Sequence, residues 1–466
     1  MNYKDGMTAS RRAFLKRAGT LSLAGVATPW ALNLAAMAEA SAATATDYKA
    51  LVCVFLYGGN DYANTVVPYD TASHALYTGF RPSFAYTRDA LLATELKPTV
   101  APLDSTGAAH QYALAPGLAP LIPLFNSGKL GVMLNIGTLV QPTTKLQYNN
   151  KSVKLPPKLF SHNDQQSVWQ SSLPEGATSG WGGRMGDLFQ SGNTNSTFTC
   201  VNVSGNAVYL SGKTAVQYQV STNGSTPVNG VKNALFGSAN ASSALRSLIT
   251  QSRTHTLENE YNKVSKRAID ANEVLTGALA AAKPLTTVFP TANNLGDQLK
   301  LVARMISVGA ELGAKRQVFF VSMGGFDTHD GMLTDHPALM TKVGNAMAAF
   351  YAATAELGVA DKVTTFTASD FGRTMAGNAD GSDHGWGSMH FLMGGAVKGQ
   401  RFYGTAPVVA NNGVDDVGQG RLLPTTSVEQ LAATLGSWLG ISDSNLLDLL
   451  PNLTNYNSSV RNLGFV

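Results

Sequence analysis

Three apolar runs, each the length of one buried strand and each emptying into glycine and an acid, limit what this chain can become. They cover 51–57, followed by Gly58-Gly59-Asn60-Asp61; 317–323, followed by Gly324-Gly325-Phe326-Asp327-Thr328-His329; and the run from Val363 that reaches Asp370 and Arg373. The third continues through a Gly/Asn/Asp loop to Asp383-His384-Gly385. Runs without polar alternation suit strands covered on both faces. In sheets of that kind, ligands settle just beyond the carboxyl ends of the strands. The pattern predicts carboxylates, imidazoles and a guanidinium delivered to one rim.

The segments between the runs supply the crossovers. Residues 295–312 show apolar positions at i, i+3 and i+4 and feed the 317 run, and a helix over 336–357 returns to the 363 run. Two such α-to-β steps mark a parallel sheet. The predicted fold is therefore α/β, a mostly parallel central sheet with helices on both faces. A further strand is expected over 129–136, helices over 118–125 and from 160 through Trp169, one long helical region over 244–282, and tail helices over 427–439 and 445–450. The polar stretch of about 190–230 reads as a β-rich insertion. Within it, runs at 207–210 and 215–220 are expected to pair as a hairpin across Ser211-Gly212-Lys213-Thr214.

With 466 residues, 44% hydrophobic and 14% charged, the chain can bury a sizeable core, and a net charge of +4 gives no nucleic-acid surface. Cys53 and Cys200 lie in apolar runs and read as buried thiols, a disulfide in an oxidising compartment being the alternative. Ser10 to Lys16 reads SRRAFLK, similar to a twin-arginine export signal, and the segment after it is too weakly apolar for a spanning helix. Residues 1–42 are thus expected to be a removed signal peptide and 46–466 the functional domain, exported to the periplasm or beyond, with the twin-arginine machinery as a partner and no membrane span in the mature form.

Asp327 and His329 pair a carboxylate with a neutral imidazole, a donor set that suits zinc and, less selectively, manganese or iron. A loop acid beside a surface histidine would look the same. His384, between Asp383 and Gly385, is the better ligand candidate, whereas His390 runs into Phe391-Leu392-Met393 and reads as a core histidine. Arg373 is suited either to fork onto a tetrahedral anion or to bridge a neighbouring acid. Asp61 is either a ligand or a cap for the next segment. Thr65 and Ser161 are hydroxyl nucleophile candidates; His162 or a cation could activate Ser161, and neither hydroxyl lies on a Gly-x-Ser-x-Gly elbow.

Taken together, Leu56-Tyr57-Gly58-Gly59-Asn60-Asp61, Ser161-His162, Gly324 to His329, Ser369-Asp370-Phe371-Gly372-Arg373-Thr374 and Asp383-His384-Gly385 resemble an exported bacterial family known as domain of unknown function 1501, over nearly all of the chain after the leader. That family is grouped with the alkaline phosphatase and sulfatase superfamily, whose members hydrolyse phosphate or sulfate esters at metal ions on the carboxyl edge of an α/β sheet. The resemblance implies Asp61 and Asp370 at one cation, with Asp327, His329 and His384 at or near another. It implies Ser161 as counterpart of the hydroxyl nucleophile. Three departures stand out: Phe371 occupies the place of a histidine that commonly follows the acid, Asp327 and His329 are two apart instead of four, and Cys-x-Pro-x-Arg is absent.

The function expected from these residues is metal-dependent hydrolysis, with a divalent metal such as zinc and a small phosphate or sulfate ester, or an envelope-derived one, as substrate. Ser161, His162 and Arg373 are the expected catalytic groups; Asp61, Asp327, His329, Asp370 and His384 are the expected metal ligands. The alternative is a catalytically degenerate binding or assembly component of the cell envelope. A third reading, modification of envelope carbohydrate, rests on Trp181 and Trp386 near polar loops.

Overall fold

Strict alternation along the first apolar run gives it two buried faces. In the computed structural model, which describes residues 47–466, Ala50, Val52, Val54 and Leu56 enter one apolar core while Leu51, Cys53 and Phe55 enter a second. All described residues fall in one compact unit. The strands are β1 Lys49–Leu56, β2 Val66–Pro68, β3 Tyr112–Leu114, β4 Leu130–Gly137, β5 Cys200–Asn202, β6 Tyr218–Gln219, β7 Arg316–Met323, β8 Val363–Ser369, β9 Arg373–Gly377, β10 Ser382–His384, β11 Ser388–Gly394, β12 Phe402–Tyr403 and β13 Thr426–Ser427. Nine form the main sheet in the order β12-β4-β11-β8-β1-β7-β5-β6, with β13 also on β4. Within it only β11 pairs antiparallel; the other pairings are parallel.

Parallel neighbours need long connections, and the amphipathic helices provide them. The Asn294–Ser307 helix starts where the Asn293 side chain accepts from the Gly296 N–H, buries Leu295, Leu299, Val302 and Ile306, and leads to β7. The Met332–Glu356 helix then carries the chain to β8. Because β7 and β8 lie on opposite sides of β1, this connection steps over it. Register places Leu56 beside both Met323 and Ser369, so three carboxyl ends stop on one level. Below them Phe55, Phe320, Trp181 and Phe366 fill the second core; full burial of one such ring contributes about 2–3 kcal/mol.

The polar stretch 190–230 departs from expectation in detail. Its strands β5 and β6 extend the main sheet in parallel, and Val208–Leu210 is a 3-10 turn, so the hairpin is not formed. Tyr209 and Leu210 are buried in the second core, and that burial outweighs the local turn signal. The region 244–282 is two helices, Ala239–Thr250 and Thr256–Ala281. Cys53 and Cys200 are free, buried thiols. Trp181 and Trp386 are each 1% exposed, so neither offers a ring to a sugar. Among the described residues no helix is long and apolar enough to cross a membrane. The expected signal at 1–42 lies outside the described residues.

Candidate metal centre

Four loops meet above the level ends of β1, β7 and β8. Gly58 makes the meeting possible: its φ is +118°, and a Cβ there would stand 2.4 Å from the Asp327 backbone nitrogen. Only glycine lets the turn after β1 pass this close beneath the loop after β7.

His162, Asp327 and His384 form a group whose ligand atoms all lie within 4.8 Å of one another. The Nε2 of His384 is 3.0 Å from Nε2 of His162 and 2.8 Å from Nε2 of His329. Asp327 closes the set: Oδ1 is 3.3 Å from His384 Nε2 and 3.2 Å from His329 Nε2, and Oδ2 is 3.4 Å from His162 Nε2. The edge of a tetrahedron with metal–ligand bonds of about 2.05 Å is about 3.3 Å. The spacings among His162, Asp327 and His384 fall around that value, and His329 adjoins this group through His384 and Asp327.

Each ring is aimed from behind by an acceptor. His384 Nδ1 donates to the Phe160 carbonyl at 2.8 Å, His162 Nδ1 to Asp370 Oδ2 at 2.6 Å, and His329 Nδ1 to Asp383 Oδ1 at 3.2 Å. A carbonyl accepts only, so His384 carries its proton on Nδ1, and burial lowers its pKa and favours the neutral ring. Its Nε2 is then a lone pair facing two other Nε2 atoms. A lone pair so placed is satisfied by an N–H on a neighbouring ring or by a cation lying between the rings. Acceptor behind, ring, cation in front is the usual arrangement around a bound metal, and the donor set of two imidazole nitrogens and a carboxylate is compatible with a divalent ion.

The surrounding charges agree. Asp327 is pulled up by partial burial but more strongly down by its hydrogen bond and charge pairing with Arg373, so it stays ionised. His162 is raised chiefly by its hydrogen bond to Asp370. Asp370 also accepts from the Gly58 N–H at 3.2 Å and from Gln166 Nε2 at 2.8 Å. Its second oxygen, Oδ1, is buried with no hydrogen-bond partner. Phe371, 1% exposed, sets its ring 4.8 Å from the rings of both His162 and His384. It walls the cluster with carbon where a further ligand was a family expectation.

The expected site residues divide accordingly. Asp327, His329 and His384 come together, and His162, expected as a base, joins them through Nε2. Asp370 stands behind His162 as its orienting carboxylate. Asp61 is elsewhere: wholly buried, it accepts from Arg81 Nη1 at 2.7 Å, from the Asn64 N–H at 2.9 Å and from Ser382 Oγ at 2.6 Å. Its side chain caps the following turn at the Asn64 N–H, one of its two readings, and Arg81 and Ser382 take up its other contacts. The Arg373 side chain is 0% exposed and its donors go to Asp327 Oδ1, the Gly58 carbonyl and Ser382, so here it bridges a neighbouring acid, one of its two readings. Ser161 caps the His162–Ser171 helix without bonding its amides, and its hydroxyl donates to Asp164 Oδ2 at 2.9 Å. Thr65 is buried and donates to the Asp61 carbonyl. Arg421, which the sequence did not single out, donates Nε to the His384 carbonyl at 2.8 Å and stacks 5.0 Å over the Phe160 ring.

No curated protein matches the chain. Solved structures resemble it distantly. Ps i-CgsB is 10% identical with a TM-score of 0.36, over 88% of this chain and 77% of that one. A 2-O GAG sulfatase is 9% identical at 0.35, over 85% and 71%. The lipoteichoic acid synthase LtaP from Listeria monocytogenes is 9% identical at 0.30, over 87% and 78%. Nothing about activity follows from likeness at this level. The profile of one sequence family, described as "Protein of unknown function (DUF1501)", matches residues 48–451, and the chain belongs to that family.

Proposed function

We propose that this protein is an exported, metal-dependent hydrolase of phosphate or sulfate esters, with one divalent cation held by His162, Asp327 and His384 and with His329 beside it. The observation that carries the reading is the convergence of three imidazole Nε2 atoms on one carboxylate while each Nδ1 is engaged from behind. Charge supports it as well. Asp327, Asp370 and Asp383 outnumber Arg373 and Arg421, so with neutral imidazoles the cluster carries one net negative charge and repels an anion. A dication reverses that sign. When bound, such an ion screens the ester oxygens and lowers the pKa of an attacking water or hydroxyl. Two imidazoles and a carboxylate with an open position suit zinc.

The chain's own residues then position and exclude. Arg373 and the backbone bonds it makes hold Asp327 in place, Asp370, Asp383 and Phe160 fix the three rings, and Phe371 keeps water from one flank. Ser161, next in sequence to His162 and with its proton directed at Asp164, is the candidate hydroxyl nucleophile. The twin-arginine signature supports export.

The test is elemental analysis of the purified chain, with phosphomonoesters, phosphodiesters and sulfate esters screened under added zinc, manganese and calcium. About one ion per chain is expected, and Asp327→Ala should remove both metal and hydrolysis. Protein without stoichiometric metal overturns the reading. Phe371, in place of a ligand, favours a second one: bound metal with uniform inactivity selects a metal-carrying envelope binding component.

A further inference from the structure

The Thr256–Ala281 helix carries one apolar stripe through most of its length, at Leu257, Tyr261, Val264, Ala268, Ala271 and Leu275. Steps of three and four keep these positions on one side of a helix. The stripe has two fates. Toward the carboxyl end, Ala271 and Leu275 are buried in the first core. Toward the amino end the same stripe runs out into solvent: Leu257 is 74% exposed, Tyr261 68% and Val264 44%, and Ala268 is exposed as well. The neighbouring Ala239–Thr250 helix packs on another side, where buried Asn262 donates to the carbonyls of Leu248 and Gln251. Beside the stripe, Val264, Arg267 and Ala268 line a groove of about 220 Å³ together with Val216, itself 61% exposed.

A contiguous apolar patch left in water marks a surface that something covers. The charges beside it point to what that is. Glu260 comes one position before Tyr261, and Arg267 one before Ala268, so both flank the stripe on the same side, seven residues apart. A twofold axis that sets two copies of the helix antiparallel brings same-side flanks together in opposite order. With the axis between residues 262 and 263, Tyr261 meets Val264 of the second copy, Leu257 meets Ala268 at the groove, and Glu260 comes beside Arg267. Each contact occurs twice. In the single chain Glu260 stands 3.6 Å from exposed Lys263, a surface pair that is exchanged at little cost.

We infer that the chain associates with a second copy of itself through this stripe, as an antiparallel pair of Thr256–Ala281 helices. A membrane surface fits less well, because acidic Glu258 and Glu260 share the exposed half of the helix with Lys263, Lys266 and Arg267. No residue of the metal cluster takes part, so the inference is independent of the ester reading.

The test is sedimentation velocity of the purified chain. A patch of this size points to a dissociation constant on the order of 10 µM, so loadings of about 1 to 300 µM should show monomer passing into dimer. Tyr261→Glu puts two like charges into the apolar seam and should weaken the dimer about a hundredfold or more. Because Tyr261 is exposed in the single chain, urea midpoints of variant and wild type at the lowest loading should agree. At about 0.1 M salt, Glu260→Arg and Arg267→Glu should each weaken self-association by about tenfold. An equal mixture of those two variants restores both charge contacts and should associate as the wild type does, and so should the double variant Glu260→Arg, Arg267→Glu. Three results overturn the inference: a wild type that stays monomeric at every loading, a dimer that Tyr261→Glu leaves intact, or a mixture no stronger than either reversed-charge variant alone.

Discussion

His162 and Asp370 meet through a 2.6 Å hydrogen bond from Nδ1 to Oδ2, across 208 positions of sequence. The bond fixes the tautomer that presents Nε2 to the cluster, and the buried negative charge behind the ring makes that nitrogen more basic. Asp370→Asn keeps an acceptor but loses the charge. Metal affinity, measured by competition with a chelating dye, should fall by about 10- to 100-fold with little change in fold. Unaltered affinity would mean that His162 is no ligand.

Arg373 is a positioning residue for Asp327. Arg373→Lys cannot serve Asp327, Gly58 and Ser382 together, because an ammonium lacks the planar fork. Expected results are lower metal occupancy and a stability loss of roughly 2–4 kcal/mol in urea, from buried acceptors left unpaired. A variant with full metal and stability but a raised KM for anionic esters would show that the guanidinium reaches substrate after all.

Much of this was legible in the chain, and the reasons it stopped are physical. Uninterrupted apolar runs at 51–57, 317–323 and 363–369 have one stable home, a sheet buried on both faces, and glycine with acid at each end marks the rim. Spacing could not tell a ligand from the carboxylate behind a ligand: Asp370 and Asp327 follow equivalent strands, and only the fold places one behind His162 and the other before it. Asp61 was ambiguous for another reason. Its partner, Arg81, lies in a region with no strand signal and enters the site's underside through tertiary packing. Arg421 follows a loop of low pattern content, and nothing local pointed to it. In 207–220, burial of Tyr209 overrode the hairpin signal.

The Asp61–Arg81 pair is wholly buried on both sides. Arg81 also donates to Asn64 and to the carbonyls of Met375 and Thr374, so the pair ties the segment after β1 to β9. Arg81→Met leaves a buried carboxylate without its counter-charge, and the expected cost is about 3–5 kcal/mol. Adding Asp61→Leu should recover a large part of it. Urea midpoints of the single and double variants decide the point, and a double variant as weak as the single one would show that the polar contacts matter more than the charge.

Glu429 gives the fold a pH dependence remote from the cluster. It is 3% exposed, accepts from Asn452 at 2.8 Å, and burial pushes its pKa up from 4.5 to about 7. A raised folded-state value means that the folded chain holds the extra proton. The contribution is therefore complete below about pH 4.5 and lost as pH rises through about 7. The shift corresponds to roughly 3 kcal/mol. Glu429→Gln keeps the shape without the titration, so it should match the wild type near pH 5 and exceed it in urea midpoint at pH 8. Comparing the two proteins at both pH values cancels every contribution the two chains share. If the difference between them were the same at pH 5 and pH 8, Glu429 would have to be ionised in the folded chain throughout, which its burial opposes.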